Sequence, residues 1–432
     1  MGIYNLVSAL GILFFIGFLF LFSRSRRRVS VRVILWGVAL QVLFAFFVFL
    51  LPAGTKLFLF LNDVTMNVID SAMEGTRFVF GRLASAAGQK DSLGFILAFQ
   101  ALPSIIFFAA LMELFYHVGI MEKIISLFAR IFVKVMGISG AESLCASAQI
   151  FLGIESNLTV RPYLREMTRS ELMVVLTTGM ATIASSVLGF YVIILSGIFP
   201  TVAGHLISAS ILLAPAGIVA SKIVIPETGQ PLTLGKVVHV EYQKATNAIE
   251  AIINGSMTGV RMVVGIGALL IAFIGLTALV DSGLAALGKV LGSLLHTGID
   301  ITLHNLLSYL FYPFTLAMGV PLEDAPAIAR IIGERIIETE VKSYQDLSVL
   351  VKEGKIVYER SIVIATYALC GFAHIPSLAI FVGGTSGIVP ERTKDIAVLG
   401  LWALIASNVA CLMTGAMAGI FHTGGGGLLF KP

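Results

Sequence analysis

The chain has 432 residues, 57% of them hydrophobic and 12% charged, with a net charge of +4 and a mean hydropathy of +0.95. A soluble domain carries about a quarter of its residues charged, so this composition excludes one and predicts about ten apolar stretches near the 20 residues that cross a bilayer. The basic residues flank apolar segments without interleaved exposed aromatics, which excludes nucleic acid. Cys145, Cys370 and Cys411 fit neither a disulfide framework nor a metal pattern, and the seven histidines form no HExxH pair.

Residues 3–22 are apolar apart from Asn5 and Ser8 and form a retained first span, because no small-residue cleavage site follows. Arg24, Arg26, Arg27, Arg28 and Arg32 mark the next loop as cytoplasmic and place the N terminus outside. A second span covers 33–52, ending at Pro52-Ala53-Gly54. Residues 57–90 mix Asp63, Asp70, Glu74, Arg77 and Arg82 with aromatics, which suits an interfacial or partly buried helix. A third span, 95–118, is followed by an amphipathic stretch at 121–136 carrying Lys123, Arg130 and Lys134, expected along the inner face.

Residues 139–166 are too often interrupted to span, by Ser139-Gly140-Ala141-Glu142, Gln149 and Glu155-Ser156-Asn157. Two half-length helices meeting at a polar tip fit them, a geometry tolerated at membrane depth only inside protein or beside a watery cavity. A fourth span lies at 171–199, a fifth at 203–225, a polar connector at 226–254, a sixth span at 258–280 and an interfacial helix at 281–300. Residues 316–352, with Pro321, Glu323, Asp324, Arg330, Glu334, Arg335, Glu338 and Glu340, read as a second and more charged hairpin. A span at 361–383, a charged turn at 390–395, a last span at 396–421 and the glycine tail Gly424–Gly427 complete the chain.

One phrase occurs twice in this order. Gly179-Met180-Ala181-Thr182-Ile183-Ala184-Ser185 returns as Gly371-Phe372-Ala373-His374-Ile375-Pro376-Ser377, each copy just after a hairpin. Gly, Pro and small polar residues let a membrane helix unwind and expose its carbonyls. Met136-Gly137-Ile138 and Met318-Gly319-Val320 also open the two hairpins alike. The fold expected is all-α and polytopic: eight transmembrane helices, two opposed re-entrant hairpins, interfacial helices and an inverted repeat with two unwound helices. Its divisions are N-terminal scaffold helices 1–90, a first repeat 91–225, a cytoplasmic connector 226–257, a second repeat 258–421 and a tail 422–432. Sites in such repeats lie near the midplane between the halves.

Ionisable groups at membrane depth are functional candidates. Glu340 either accepts paired hydrogen bonds from a diol or bridges to Arg335 or Lys342. Glu155 reads a heterocycle's N–H edge, carries a proton, or pairs with Arg161 or Arg165. His374 contacts a polar ligand or titrates, unless it is a helix–helix contact, and Phe372 offers a ring face unless it only packs. Thr182 and Ser185 lend hydroxyls, or bond back to their own helix. Gly384-Thr385-Ser386-Gly387 has the small GxSG form of membrane-embedded serine proteases, with His422 as the one plausible base.

Several segments together resemble the concentrative nucleoside transporters, nucleoside:cation symporters, over about residues 75–421. They are Leu102-Pro103-Ser104-Ile105-Ile106-Phe107-Phe108-Ala109-Ala110-Leu111-Met112, Tyr116-His117-Val118-Gly119-Ile120-Met121, Ala214-Pro215-Ala216, Lys222-Ile223 before Pro226-Glu227-Thr228, Ala368-Leu369-Cys370-Gly371-Phe372-Ala373, and Arg392-Thr393-Lys394-Asp395-Ile396-Ala397. The resemblance implies eight spans, two opposed hairpins and two unwound helices in a homotrimer. It implies ribose ligands at Glu340, His374 and Ser377, base packing at Phe372 and Val187, and base reading at the first tip, Ile154, Glu155 and Ser156. For a Na+ site it implies the side chains of Gln149 and Thr182 with backbone oxygens of Leu152 and Ile183.

The chain departs from the family pattern in four places. The first tip usually reads Gly-Gln-Thr-Glu and here is Gly153-Ile154-Glu155-Ser156; His374 and Gln149 each stand for an Asn; and Thr339 replaces the Asn before Glu340. Proton coupling through Glu155 or His374 therefore stands beside Na+ coupling. The expectation is a cation-coupled nucleoside importer, with no cofactor beyond the coupling ion, in lipid of a bacterial plasma (inner) membrane with both termini periplasmic. A carrier of a modified nucleoside or free nucleobase is the alternative within transport, and an intramembrane serine protease the alternative outside it.

Overall fold

Helix boundaries follow the local chemistry of the chain. The computed structural model describes residues 2–85, 92–238, 245–295 and 301–422, with the side chains of 290–295 left aside. The tail beyond His422 and the last residues of the expected helix at 281–300 lie outside these. All regular structure among the described residues is helical, apart from one isolated bridge between Ser139 and Leu234.

Helices α1 (Ile3–Leu21) and α2 (Val31–Phe49) form the first two spans, and α3 (Pro52–Phe80) starts at a proline suited to a first helical turn. The third span is kinked: α4 (Leu97–Gln100) gives way at Pro103 to α5 (Ser104–Val118). Amphipathic α6 (Ile120–Ile131) follows. The first hairpin consists of α7 (Gly140–Ala148), a 3-10 return over Ile154–Val160 and the short α8 (Arg161–Leu164). Ser139 and Glu142, which interrupt the apolar run, form a capping box, each side chain taking a backbone N–H that the first turn leaves unpaired. Thr168 and Glu171 do the same for α9 (Arg169–Ala181). The chain then unwinds over 182–184, resumes as α10 (Ser185–Leu195) and crosses again as α11 (Val202–Val224).

The second half begins with one helix where two were expected. Helix α12 (Ala248–Leu295) is continuous for 48 residues and joins the sixth span to the expected interfacial segment. At 1.5 Å per residue it is about 72 Å long, beyond the roughly 45 Å of a whole bilayer, so it tilts or projects. Asp281, which suggests a boundary in the sequence, instead spends its carboxylate on the next helix, accepting Leu303 N–H at 2.6 Å and meeting His304 Nδ1 at 2.5 Å. Between α12 and the second hairpin lies α13 (Leu303–Ala317), a further helix that buries Phe311 and Thr315 on one side.

Next come the second hairpin, α14 (Ala325–Ile337) and α15 (Glu340–Lys352), and a second broken helix, α16 (Glu359–Leu369) and α17 (Ile375–Ile388). The last span, α18 (Thr393–Phe421), starts three residues before its expected limit. Each half thus runs span, amphipathic helix, hairpin, broken helix, span. Gly137 and Gly319, at the openings of the two hairpins, take φ of +74° and +82°, the left-handed region in which a side chain is strained.

Among the described residues seven stretches are long and apolar enough to cross a membrane, and α16 with α17 supplies an eighth in two short pieces. Their burial separates two shells. The stretches 169–195 and 202–224 are each 89% buried and 390–421 is 72% buried, whereas α12 is 11% buried and α1 and α2 about a third. The first broken helix and α16 lie in the inner shell, where unwound backbone is shielded from lipid, whereas α17 buries only Pro376, Ser377, Phe381 and Thr385.

Candidate functional site

The two unwound segments meet. Phe372 N–H donates to Thr182 O at 3.4 Å, and Cys411 Sγ reaches Ala181 O at 3.7 Å. Hairpin tips close on them from both sides.

The second tip carries the charge. Thr339 caps α15, so Glu340 sits in its first turn, where unpaired N–H groups and the helix dipole favour a carboxylate. Glu340 is 3% exposed. Its Oε1 accepts the Tyr191 hydroxyl of α10 at 2.5 Å, and its Oε2 lies 2.6 Å from His374 Nε2. His374 is itself the N-cap of α17, its Nδ1 accepting Ser377 N–H at 3.2 Å. With Nδ1 accepting, the ring hydrogen lies on Nε2, which meets the carboxylate in close contact but without the alignment of a hydrogen bond. Ser377 Oγ stands 3.0 Å from His374 Nε2, and the Phe372 ring packs edge-on to His374 at 6.3 Å. Glu340, His374, Ser377 and Phe372 are therefore brought together, with Val187 buried on α10 one turn before Tyr191.

Neither expected salt bridge to Glu340 forms. Lys342 pairs with Asp346. Arg335, fully buried, donates to Ala368 O and to Asn408 Oδ1, each at 2.5 Å. Asn408 Nδ2 in turn donates to Ala373 O at 3.0 Å, so one relay holds carbonyls on both sides of the second break. Neither Tyr191 nor Asn408 carries a spacing signal in the sequence that marks it for this site.

At the first tip the carbonyls of Ile150 and Phe151 are taken by Ser210 Oγ and Ser185 N–H, at 2.7 and 2.8 Å. Leu152 O and Ile183 O accept no hydrogen bond from the described residues. Gln149 Nε2 donates to Val175 O at 2.9 Å and its Oε1 accepts the Thr178 hydroxyl. Thr182 Oγ1 donates to Thr178 O at 2.8 Å. Both side chains are thus engaged, yet each oxygen keeps a lone pair, and an all-oxygen set suits a hard cation. Asn157 ties this hairpin to α17 through Thr385 Oγ1 at 2.8 Å.

Glu155 makes no ion pair with Arg161 or Arg165 among the described residues. It lines a cavity of about 240 Å³ between the hairpin and helices α5 and α12, whose wall includes Glu113, Tyr116, Ala184, Asn254 and Thr258. Ile154, by contrast, packs toward Gly384 of α17. Ser156 is fully buried and its backbone oxygen accepts the Thr159 hydroxyl at 2.6 Å.

Ser386 Oγ has no hydrogen-bond partner among the described residues, whereas a serine nucleophile needs a base within reach. The protease alternative fails on this geometry.

Three family profiles account for most of the chain. "Na+ dependent nucleoside transporter N-terminus" matches residues 10–83, "Nucleoside recognition" 98–198 and "Na+ dependent nucleoside transporter C-terminus" 205–419. Solute carrier family 28 member 3 of Homo sapiens is 37% identical over 98% of this chain, which spans 61% of the human protein's length. An uncharacterized transporter of Haemophilus influenzae is 36% identical, over 96% of this chain and 97% of that one. The solved structure of CNTnw in an inward-facing substrate-bound state superposes with a TM-score of 0.86 at 33% identity, covering 96% of this chain and 98% of the other. A CNTnw variant in an outward-facing state gives the same score and identity, covering 97% and 98%. These relatives are transporters, not enzymes, and the chain belongs to the Na+ dependent nucleoside transporter family.

Proposed function

We propose that this chain imports nucleosides by cotransport with Na+. The observation that carries the reading is Glu340, a buried carboxylate reached by Tyr191 on one oxygen and His374 on the other. A carboxylate has about four acceptor positions, so two remain for the vicinal hydroxyls of ribose. His374 and Ser377 supply further polar contacts, and Phe372 and Val187 pack against the base.

One face of α10 joins the two ends of the ligand. Ala184, Val187 and Tyr191 follow at three and four residues, so they share that face. Ala184 lines the Glu155 cavity and Tyr191 holds Glu340. Seven residues of rise separate them, about 10 Å, comparable to the length of a nucleoside. Glu155, with Ile154 and Ser156 shaping the tip, reads the base edge. Gln149, Thr182, Leu152 and Ile183 take the Na+, which travels as cargo.

The hairpins and broken helices of both repeats (91–225 and 258–421) move against the remaining spans, and the two repeats are inverted in the membrane. The protein is a homotrimer in a bacterial inner membrane, with its termini periplasmic. One observation favours a second reading of the coupling. The His374–Glu340 contact at 2.6 Å is a place for a proton to reside, and a proton gradient would then replace Na+.

Uptake of a radiolabelled panel of nucleosides and free bases into proteoliposomes tests this. Ribonucleoside uptake that collapses when external Na+ becomes choline at fixed pH is expected. Uptake that ignores Na+ and follows an imposed pH gradient supports the proton reading, and uptake of free bases alone removes the ribose role of Glu340.

A further inference from the structure

Glu340 does not stand unaided. The Tyr191 hydroxyl donates to its Oε1 at 2.5 Å, the short range of an O–H···O⁻ bond, which is roughly twice as strong as a neutral one. Tyr191 is 1% exposed, so the contact is shielded from bulk solvent. Its ring is fixed in turn: Tyr344 of the second hairpin packs on it at 5.2 Å, and Tyr344 Oη donates to Thr366 O of α16 at 2.9 Å. A tyrosine has two χ angles to fix, and both are restrained here by packing.

The consequence is geometric. His374 holds Oε2 from the second broken helix at 2.6 Å, and Tyr191 holds Oε1 from the first. A donor on Oε1 and the imidazole edge against Oε2 together confine the position and the plane of the carboxylate. The acceptor directions left open are then set before any ligand arrives, one on each oxygen. A vicinal diol matches that pair, whereas a sugar with one hydroxyl fills only one of them.

We propose that Tyr191 is a positioning residue for ribose recognition, orienting Glu340 so that its two free acceptor directions select a vicinal diol. This rests on the reading that Glu340 binds the ribose. The bond also couples substrate recognition to the first broken helix, whose start lies beside the oxygen set assigned to the ion.

The test is Tyr191→Phe, which removes one oxygen and keeps the ring. Tritiated uridine and adenosine serve as probes in proteoliposomes, with their 3′-deoxy analogues as competitors. The expected result is a KM about tenfold higher with Vmax within about twofold. The preference for the parent nucleoside over its 3′-deoxy analogue should shrink by about the same factor, which loss of fold quality would not produce. An unchanged KM and unchanged preference overturn the proposal, as does a fall in Vmax alone. If Tyr191→Phe does not reach the membrane, 4-methoxyphenylalanine and 4-aminophenylalanine at position 191 make the same comparison, the first without a hydrogen to donate and the second with one. Equal KM values for those two overturn it. Wild-type protein that carries no nucleoside defeats the underlying reading, whereas nucleoside transport indifferent to Tyr191 defeats this proposal alone.

Discussion

Gly371 stands against Ala181: a methyl group built on Gly371 would come within 2.3 Å of the Ala181 carbonyl oxygen and 2.6 Å of Cys411 Sγ. The residues on either side complete the joint, with Phe372 N–H on Thr182 O. The two breaks are therefore one contact in which each helix interruption supplies polar backbone to the other. A change at the ion end has a direct route to the ribose end through this contact.

Gly371→Ala tests the joint. The added carbon forces the breaks apart, and overpacking of this kind costs about 1–3 kcal/mol. Protein that still reaches the membrane should show a lower thermal midpoint in detergent and weaker Na+ dependence of uptake. Wild-type values for both would show that the breaks separate freely.

Asn408→Leu tests the relay that holds the second break open. It removes the acceptor for Arg335 and the donor to Ala373 O, both fully buried, and leucine matches the shape it replaces. Leaving two buried groups unpaired costs about 1–3 kcal/mol each. A marked drop in thermal midpoint is expected, and a drop within the error of a surface substitution would mean that water takes over both bonds.

Much of this arrangement is legible in the sequence, and what is not has physical causes. Both hairpins announce themselves because capping residues such as Ser139, Glu142 and Thr339 break an apolar run at helix starts. Both breaks show because glycine, alanine and serine recur at the same offsets. The continuity of α12 does not show, because Asp281 looks like a boundary until its partners in α13 are known. Tyr191 does not show either: a tyrosine among apolar residues has no spacing signal, and its partner lies 149 positions away. The same holds for Arg335, whose polar character suggests an ion pair with Glu340 but satisfies carbonyl and amide oxygens instead.

His304 opens α13, outside the spanning segments, and ties three elements together. It contacts Asp281 of α12 at 2.5 Å, Glu334 of α14 at 3.6 Å and Glu338 of the second tip at 3.5 Å, while Arg330 also bonds Glu334. Its pKa is raised to about 9, chiefly by the hydrogen bond to Glu338 and against the opposing effect of burial, with Glu334 and Asp281 adding to the rise. A histidine whose folded value exceeds its unfolded value of about 6.5 contributes stability that is complete below that value and lost as pH rises through about 9. The difference in thermal midpoint between wild type and His304→Gln should therefore be largest near about pH 6 and small by about pH 10. A constant difference across that range would mean that the imidazole acts only by packing.

Glu155→Ala separates the base end from the ribose end. The carboxylate lines the cavity of about 240 Å³ that also holds Glu113, so an incoming base meets acceptors and favours an edge with N–H donors. Hydrogen bonds to charged groups are worth about 1.5–3 kcal/mol, roughly tenfold or more in affinity. Bases presenting such an edge should lose most when Glu155 is removed, reordering competition among adenosine, guanosine, cytidine and uridine. Discrimination against 3′-deoxy analogues should survive, since Glu340 and Tyr191 are untouched. Glu340→Gln should do the reverse, abolishing the preference for a diol while any residual uptake keeps its order of bases. An unchanged order in Glu155→Ala would move base reading to the α5 and α12 wall, where Glu113 and Asn254 would be the residues to change next.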